Sequence, residues 1–337
     1  MKWLALDIGG ANIKVADGCG FSASYPFALW KNSDRLENEL RRIISESPES
    51  DHLIATMTGE LADCFETKKE GVSFIVQSLA ENVSPDCFSV YQTSGQFVNA
   101  SEAIQNWRET AASNWHAFAA CAARFLPNQT GIVIDIGSTT TDLIPVQDGA
   151  VASDSMTDIE RLMSNELVYT GISRTPVCSL IDAVNCNGQR TLVAKELFAS
   201  TLDAHLLVGN IESSKSNDAT ADGRPANVHH AAQRLARMLC ADLEELDWST
   251  IEALAEQTIQ AQINLIKGAL QNVKSRFPDC GKGFLVSGSG DWLAKQVLGT
   301  DKRRVHVLEL AKLESRSISD CGPAWAVATL LKEVRSK

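Results

Sequence analysis

Two stretches constrain this chain more than any other feature. Leu4-Ala-Leu-Asp-Ile-Gly-Gly-Ala-Asn-Ile-Lys14 and Ile132-Val-Ile-Asp-Ile-Gly-Ser-Thr-Thr-Thr-Asp-Leu-Ile-Pro-Val146 both read as strand, Asp-Ile-Gly, small polar turn, strand. In the second copy Ile132–Ile134 is a β-branched run suited to a buried strand. Gly137 permits the tight turn, and Thr140–Val146 returns as the partner strand. The amides of Gly137, Ser138 and Thr139 can point at phosphate oxygens, with Thr140 beside them, while Asp135 and Asp142 can hold Mg²⁺ through water. In the first copy Gly9, Gly10, Asn12 and Lys14 are the corresponding phosphate- or substrate-binding candidates, and Asp7 is the corresponding carboxylate. Asp7 and Asp135 lie 128 residues apart, which predicts an internal duplication: two related α/β lobes, each offering one phosphate loop to a shared cleft.

At 337 residues and 44% hydrophobic the chain can bury two such lobes. We expect the first over 1–130 and the second, with a helical insertion, over 131–321, and a C-terminal helix over 322–335 returning to the first. A formal net charge of −11 opposes encounter with nucleic acid or an anionic membrane, so an anionic ligand needs a local pocket. Nine scattered cysteines without a Cys-x-x-Cys give neither a zinc cluster nor a disulfide framework, which fits a reducing cytoplasm. No apolar stretch reaches a membrane span, and Met1–Leu6 is too short for a signal-peptide core.

Between and after the hairpins the chain alternates strand and helix. A strand is predicted over Phe21–Leu29, a helix over Ser33–Ser45 with Ser33 as its cap, and a strand over His52–Met57. At that strand's end Thr58-Gly-Glu-Leu-Ala-Asp63 supplies Glu60, preferred to Asp63 as a proton acceptor because it is nearer the strand. Lys68 and Lys69 are candidates to neutralise a diphosphate, against the plainer reading of a solvated, mixed-charge face. Helices are predicted over Gly71–Ala80 and Ala112–Arg124. In the latter His116 reads as a packed residue rather than a base, and Asn114 as either a ligand contact or a cap. A helix over Thr157–Val168 precedes a polar loop whose Arg174 suits a carboxylate or phosphate, or a structural tie to a helix end. Asp203, His205, Asp222 and Arg224 are expected in turns and at the surface, with a mobile loop over 209–227. Long helices over Ala231–Glu244 and Ser249–Arg276, the second capped by Ser249, read as scaffold. Phe284–Leu293 gives strand, turn and helix start, with Gly288, Ser289 and Gly290 able to admit a ligand against bare backbone, and Val305–Leu308 is a late strand.

With two Asp-Ile-Gly hairpins and the late Val-Ser-Gly-Ser-Gly turn, the chain resembles the actin, sugar-kinase and Hsp70 ATPase superfamily. That resemblance implies duplicated actin-like (ribonuclease H-like) lobes with a cleft between them. Within the superfamily it is similar to the hydantoinase/oxoprolinase-like branch, and more narrowly to proteins of tetrahydromethanopterin-linked C1 transfer. The likeness is carried by Thr58–Asp63, Lys69-Glu-Gly71, Asp135–Asp142, Tyr169-Thr-Gly171 with Arg174-Thr-Pro176, Asp203-Ala-His205 and Thr220–Arg224. It implies methanofuran-type cofactor biosynthesis, in which an aminomethylfuran-methyl diphosphate is joined to the phenol of γ-glutamyltyramine and pyrophosphate leaves. The partners would then be small molecules: a diphosphate and a phenolic amine. The residues implied to act are Glu60, Asp7 and Asp135, with Mg²⁺ at Asp7, Asp135 and Asp142. ATP use stays open, because Ser113-Asn-Trp-His-Ala117 carries no carboxylate where sugar kinases place their base. An ATP-dependent kinase or ligase-like enzyme and a non-catalytic nucleotide-responsive binding protein are the alternatives.

Overall fold

Trp3–Ile8 (β1) is buried along its whole length, Asp7 included, as a strand covered on both faces must be. The computed structural model describes residues 2–186, 188–299 and 306–336. From β1 the chain turns back through Asn12–Ala16 (β2) and Ser22–Pro26 (β3), then continues through His52–Met57 (β4), Phe88–Tyr91 (β5) and Phe97–Val98 (β6). The sheet order is β3-β2-β1-β4-β5-β6. β2 is antiparallel and β4 parallel to β1, and β5 is parallel to β4.

The second half repeats this plan. Gly131–Ile136 (β7), Thr141–Gln147 (β8), Ala150–Val151 (β9) and Leu167–Val168 (β10) are followed by a small ribbon of Ala183–Cys186 (β11) and Gln189–Leu192 (β12). Gly283–Ser287 (β13) and His306–Glu309 (β14) complete the strands. The order β10-β8-β7-β13-β14 has the same sense at each step as β3-β2-β1-β4-β5. Register makes the equivalence residue-specific: Asp7 lies opposite Lys14, and Asp135 lies opposite Asp142. The duplication read from the two hairpins is therefore the architecture of the chain.

Two helices of small residues fill the space between the sheets. Asn114–Ala122 and Gly322–Ser336 lie against one another, with Ala117, Val327, Ala328 and Leu331 against Trp3, Ala5 and Ile54 of the first sheet. Trp115, Phe118, Ala324 and Trp325 meet Val133, Ile144 and Leu285 of the second. Separate cores lie on the outer faces, the larger built on the 29-residue helix Trp248–Arg276.

Several local expectations shift. The helix expected over Thr157–Val168 is Asp158–Met163, closed at its start by a Thr157/Glu160 capping box. Asn165 at φ 60° ends that turn, and Leu167 and Val168 pair with Asp142 and Thr141 as an edge strand. Asp247, not Ser249, caps the long helix through the Thr250 amide at 2.8 Å. Ser33 opens a 3₁₀ turn without capping it, and the strand after the first hairpin spans only Ser22–Pro26. Val305 lies outside the described residues. The stretch 209–227 is irregular, yet Ser214 bridges to Ala226 and Asp222 is held by Arg224 and Arg234. Among the described residues no helix is long and apolar enough to cross a membrane.

Helix Lys68–Ala80, capped by Thr67, crosses directly over the Glu60 backbone. A Cβ at Gly71 would overlap the Glu60 carbonyl, so only glycine lets this helix seat. Gly71→Ala is expected to cost roughly 1–3 kcal/mol by overpacking. A urea midpoint lowered at unchanged slope checks it, and an unchanged midpoint would mean that helix and loop separate freely.

Candidate active site

Both hairpin turns close in the same way. The Gly9 amide donates to the Asn12 carbonyl at 3.0 Å, and the Gly137 amide to the Thr140 carbonyl at 2.9 Å. This corrects the expectation that Gly137 offers its N–H to phosphate, because the turn itself uses that donor. The amides of Gly10 and Ala11 in one lobe, and of Ser138 and Thr139 in the other, have no acceptor among the described residues. They form two short rows of free donors of the kind that suit anionic oxygens.

The loop after β10 braces the second turn. Ile172 N donates to Gly137 O at 3.0 Å, and Ser173 N and Arg174 N donate to Ser138 O at 3.0 and 3.1 Å. Gln262 of the long helix donates to Gly171 O at 2.8 Å and to Thr170 Oγ1 at 3.0 Å, and its own Oε1 meets His205 Nε2. His205 is thus a buried support, and Asp203 is too: it is 1% exposed and ion-paired at 2.7 Å with Arg234, itself fully buried. The surface reading of these two residues is overturned, because each charge or ring nitrogen finds a partner inside.

Asp7 and Asp135 stand at the ends of β1 and β7. Burial pushes the Asp7 carboxyl up to about 6, against the pull of Lys14 and Asn114, and pushes Asp135 up to about 7, against Lys14 and Ser287. Each keeps one buried oxygen without a hydrogen-bond partner, and the charge on Asp7 contributes to the rise at Asp135. Gly288, at φ 85°, is pressed against Asp135: a Cβ there would lie 2.6 Å from Asp135 Oδ1. The glycine turn Gly288-Ser-Gly290 therefore covers β7, with Gly290 N bonded to Ile136 O at 2.9 Å.

Asp142 is differently placed. Its Oδ1 accepts from Arg161 Nη2 at 2.7 Å, and burial, opposed by Arg161, raises its pKa. Of the three aspartates expected at a metal, Asp7 and Asp135 are the two with an unpartnered oxygen. Among the described residues no group of three or more His, Cys, Asp or Glu is arranged to hold a metal by itself. Asp7 and Asp135 fit Mg²⁺, an ion that keeps several waters and takes one or two carboxylates plus substrate phosphate oxygens.

Glu60 enters from the end of β4, where Thr58 N and Gly59 N both bond to Ile8 O at 2.9 Å and fold the segment against β1. It is 1% exposed with Oε2 unpartnered. Burial pushes its carboxyl up to about 7; Asp158 raises it further, and Lys68 and the Ala112 amide pull it down. Ala112 sits at φ 48°, a strained conformation for a residue with a Cβ, immediately before Ser113, whose hydroxyl bonds Thr56 and Tyr91 O.

A cleft of about 320 Å³ gathers Gly10, Thr58, Glu60 and Asp63 from one lobe with Thr139, Thr140, Asp142 and Arg174 from the other. Lys68 is ion-paired across the lobes with Asp158 at 3.0 Å, whereas Lys69 is exposed, and neither lines the cleft. Asp7, Gly9, Asn12, Lys14, Asp135, Gly137, Ser138 and the turn Gly288-Ser289-Gly290 also lie outside its lining, Lys14 acting on Asp7 and Asp135 through its charge. Asn114 lines it, and its Oδ1 accepts from the Trp115 amide at 2.7 Å, while His116 bonds the Tyr91 hydroxyl and is pushed down to about 4 by burial, as a packed histidine.

Sequence reasoning missed Arg161, Asp158 and Trp30. Helix Asp158–Met163 exposes Ile159, Leu162 and Met163, and buries Arg161 over the Trp115 ring at 4.1 Å. Amphipathic reading points the apolar face inward, and no local signal reverses that. Trp30 follows the first hairpin and meets Arg174 of the other lobe, guanidinium to ring at 4.6 Å.

A twice-repeated sheet order, with two Asp-Ile-Gly turns facing a cleft between the lobes, defines a duplicated, actin-like α/β protein. The hydantoinase/oxoprolinase model matches residues 52–315, and the chain belongs to that family. It is 32% identical to the (4-{4-[2-(gamma-L-glutamylamino)ethyl]phenoxymethyl}furan-2-yl)methanamine synthase of Methanocaldococcus jannaschii, over 99% of this chain and 98% of that one. The synthase of the same name from Methanococcus vannielii is 34% identical over 60% of this chain and 90% of its own. Among solved structures, the (R)-2-hydroxyglutaryl-CoA dehydratase component A of Acidaminococcus fermentans aligns over the full length of both chains at 11% identity, with a TM-score of 0.47.

A carboxyl whose folded pKa is raised destabilises the fold above its ordinary pKa, where the unfolded chain ionises freely. Asp135→Asn should therefore leave stability at pH 4 nearly unchanged and raise it at pH 8 by roughly 2–4 kcal/mol. Denaturant melts at the two pH values check this, and equal effects at both would mean that Asp135 is not held in a desolvated site.

Proposed function

We propose that this chain is a transferase of methanofuran-type C1-carrier biosynthesis, which condenses an aminomethylfuran-methyl diphosphate with the phenol of γ-glutamyltyramine. The observation that carries this reading is full-length 32% identity to a synthase whose product name spells out that furan–methylene–phenol ether. The cleft suits the chemistry. It holds free turn amides for a diphosphate, and its buried acid is Glu60 from the β4 loop, not a residue of Ser113–Ala117.

In the reaction Glu60 takes the phenolic proton. The phenolate oxygen forms a bond to the furan methylene carbon as the bond from that carbon to the diphosphate oxygen breaks, and pyrophosphate departs with the electron pair. Furan delocalises positive charge that develops on the methylene. Turn amides at Gly10, Ser138 and Thr139, with Thr140, hold the leaving oxygens, while Asp7 and Asp135, their charge offset by Lys14, order the water around them. Mg²⁺, when bound at Asp7 and Asp135, supplies positive charge to the leaving diphosphate. ATP takes no part in this scheme.

The protein, incubated with furan-methyl diphosphate, γ-glutamyltyramine and Mg²⁺ but no nucleotide, is expected to give the ether and pyrophosphate by mass spectrometry. Product that forms only with ATP, alongside ADP, would replace this reading with the kinase or ligase-like one. Asp7→Asn and Asp135→Asn should each lower turnover by more than about 10²-fold. Since Glu60 must be ionised to accept a proton, kcat/KM should rise with pH through about 7. Glu60→Gln should remove that rise, and a variant with the wild-type profile would exclude Glu60 as the base.

A further inference from the structure

The cations that line the cleft are Arg161 and Arg174, and they are in different states. Arg161 is buried and committed to Asp142. Arg174 is exposed, and among the described residues it has no carboxylate partner; its guanidinium lies over the face of Trp30, 4.6 Å from the ring centroid. Stacking uses the π-face of a guanidinium and leaves the N–H edges free in the ring plane, where a carboxylate docks in two-pronged fashion.

We infer that Arg174, stacked on Trp30 from the opposite lobe, binds the carboxylate at the far end of the acceptor and sets acceptor specificity. This deepens the proposed function and rests on it. The product named for the relative carries a γ-glutamylamino group, and so a free α-carboxylate, separated from the reacting phenol by the ethyl and amide linkage. Of the acids in the cleft wall, Asp142 is answered by Arg161 and Asp158 by Lys68, which leaves Arg174 as the lining cation open to an incoming carboxylate. The diphosphate needs a different place: its donors are the free amides at the two turns, beside the buried carboxylates. Glu60 is enclosed and Arg174 is exposed, which matches an acceptor with its phenol inside and its glutamyl end at the rim. Leu61 and Tyr169, 64% and 68% exposed on opposite walls, give the aryl portion an apolar passage between those points.

The test compares γ-glutamyltyramine with tyramine, which lacks the carboxylate, using the same furan-methyl diphosphate donor. Wild type should prefer γ-glutamyltyramine. Arg174→Gln should lower kcat/KM for γ-glutamyltyramine by about 10- to 100-fold, the worth of one charged hydrogen-bonded contact, and leave tyramine within about twofold. Trp30→Ala, which removes the stacking platform, should weaken the preference in the same direction. Retained turnover of tyramine shows that the variants are folded. Equal losses with both acceptors would assign Arg174 to the diphosphate and overturn the inference, as would an unchanged preference or a wild type indifferent to the glutamyl group. No ether from wild type with either acceptor would overturn the proposed function itself.

Discussion

The structure depends on two aspartates held at equivalent ends of equivalent strands, Asp7 buried and Asp135 half-buried with one oxygen sealed from solvent. A carboxylate in an apolar strand end is costly unless something answers its charge, and here Lys14, Asn114 and Ser287 answer it in part. The remainder appears as raised pKa values and as one unpartnered oxygen on each residue. That unanswered demand is what a cation or a ligand proton can satisfy, so the instability built into the strand ends is also the binding potential of the cleft. The glycines around it follow from the same crowding, Gly288 above all, since bare backbone must approach the Asp135 carboxylate.

Pseudo-symmetry sets the positions, and broken symmetry sets the chemistry. The residue opposite Asp7 is Lys14, and the residue opposite Asp135 is Asp142. One lobe thus supplies a cation where the other supplies an anion, and the anion in turn draws Arg161 inward. Because a buried guanidinium needs its carboxylate more than Ile159, Leu162 and Met163 need cover, helix Asp158–Met163 turns its apolar residues outward. The lobes also touch through Lys68–Asp158 and Trp30–Arg174, contacts made of side chains at the cleft rim, while the alanine-rich helices 114–122 and 322–336 join them at the base.

Much of this architecture was legible in the chain. The two Asp-Ile-Gly hairpins specified strand, turn and returning strand by local chemistry alone, and their recurrence specified the duplication. That Glu60 lines the cleft was legible from its place at a strand end. Arg161, Asp158 and Trp30 were not legible, because each matters through a partner 19 to 144 residues distant: Asp142, Lys68 and Arg174. The Gly137 amide was assigned to ligand because a turn's internal hydrogen bond is invisible until its carbonyl partner is placed.

What the sequence determined by itself was the repeated β-hairpin pattern, the alternation that covers each sheet, and the carboxylates, hydroxyls and amides available to a cleft. Those follow from short-range backbone preference and the period of apolar residues, which act within a few positions. Only the tertiary structure decided which charges are spent and which are free: Asp142 on Arg161, Lys68 on Asp158, Asp203 on Arg234, with Arg174 held open on Trp30. The physical reason is that desolvation and Coulomb energy depend on burial and on distances through space, and the chain's order encodes neither until the lobes have packed.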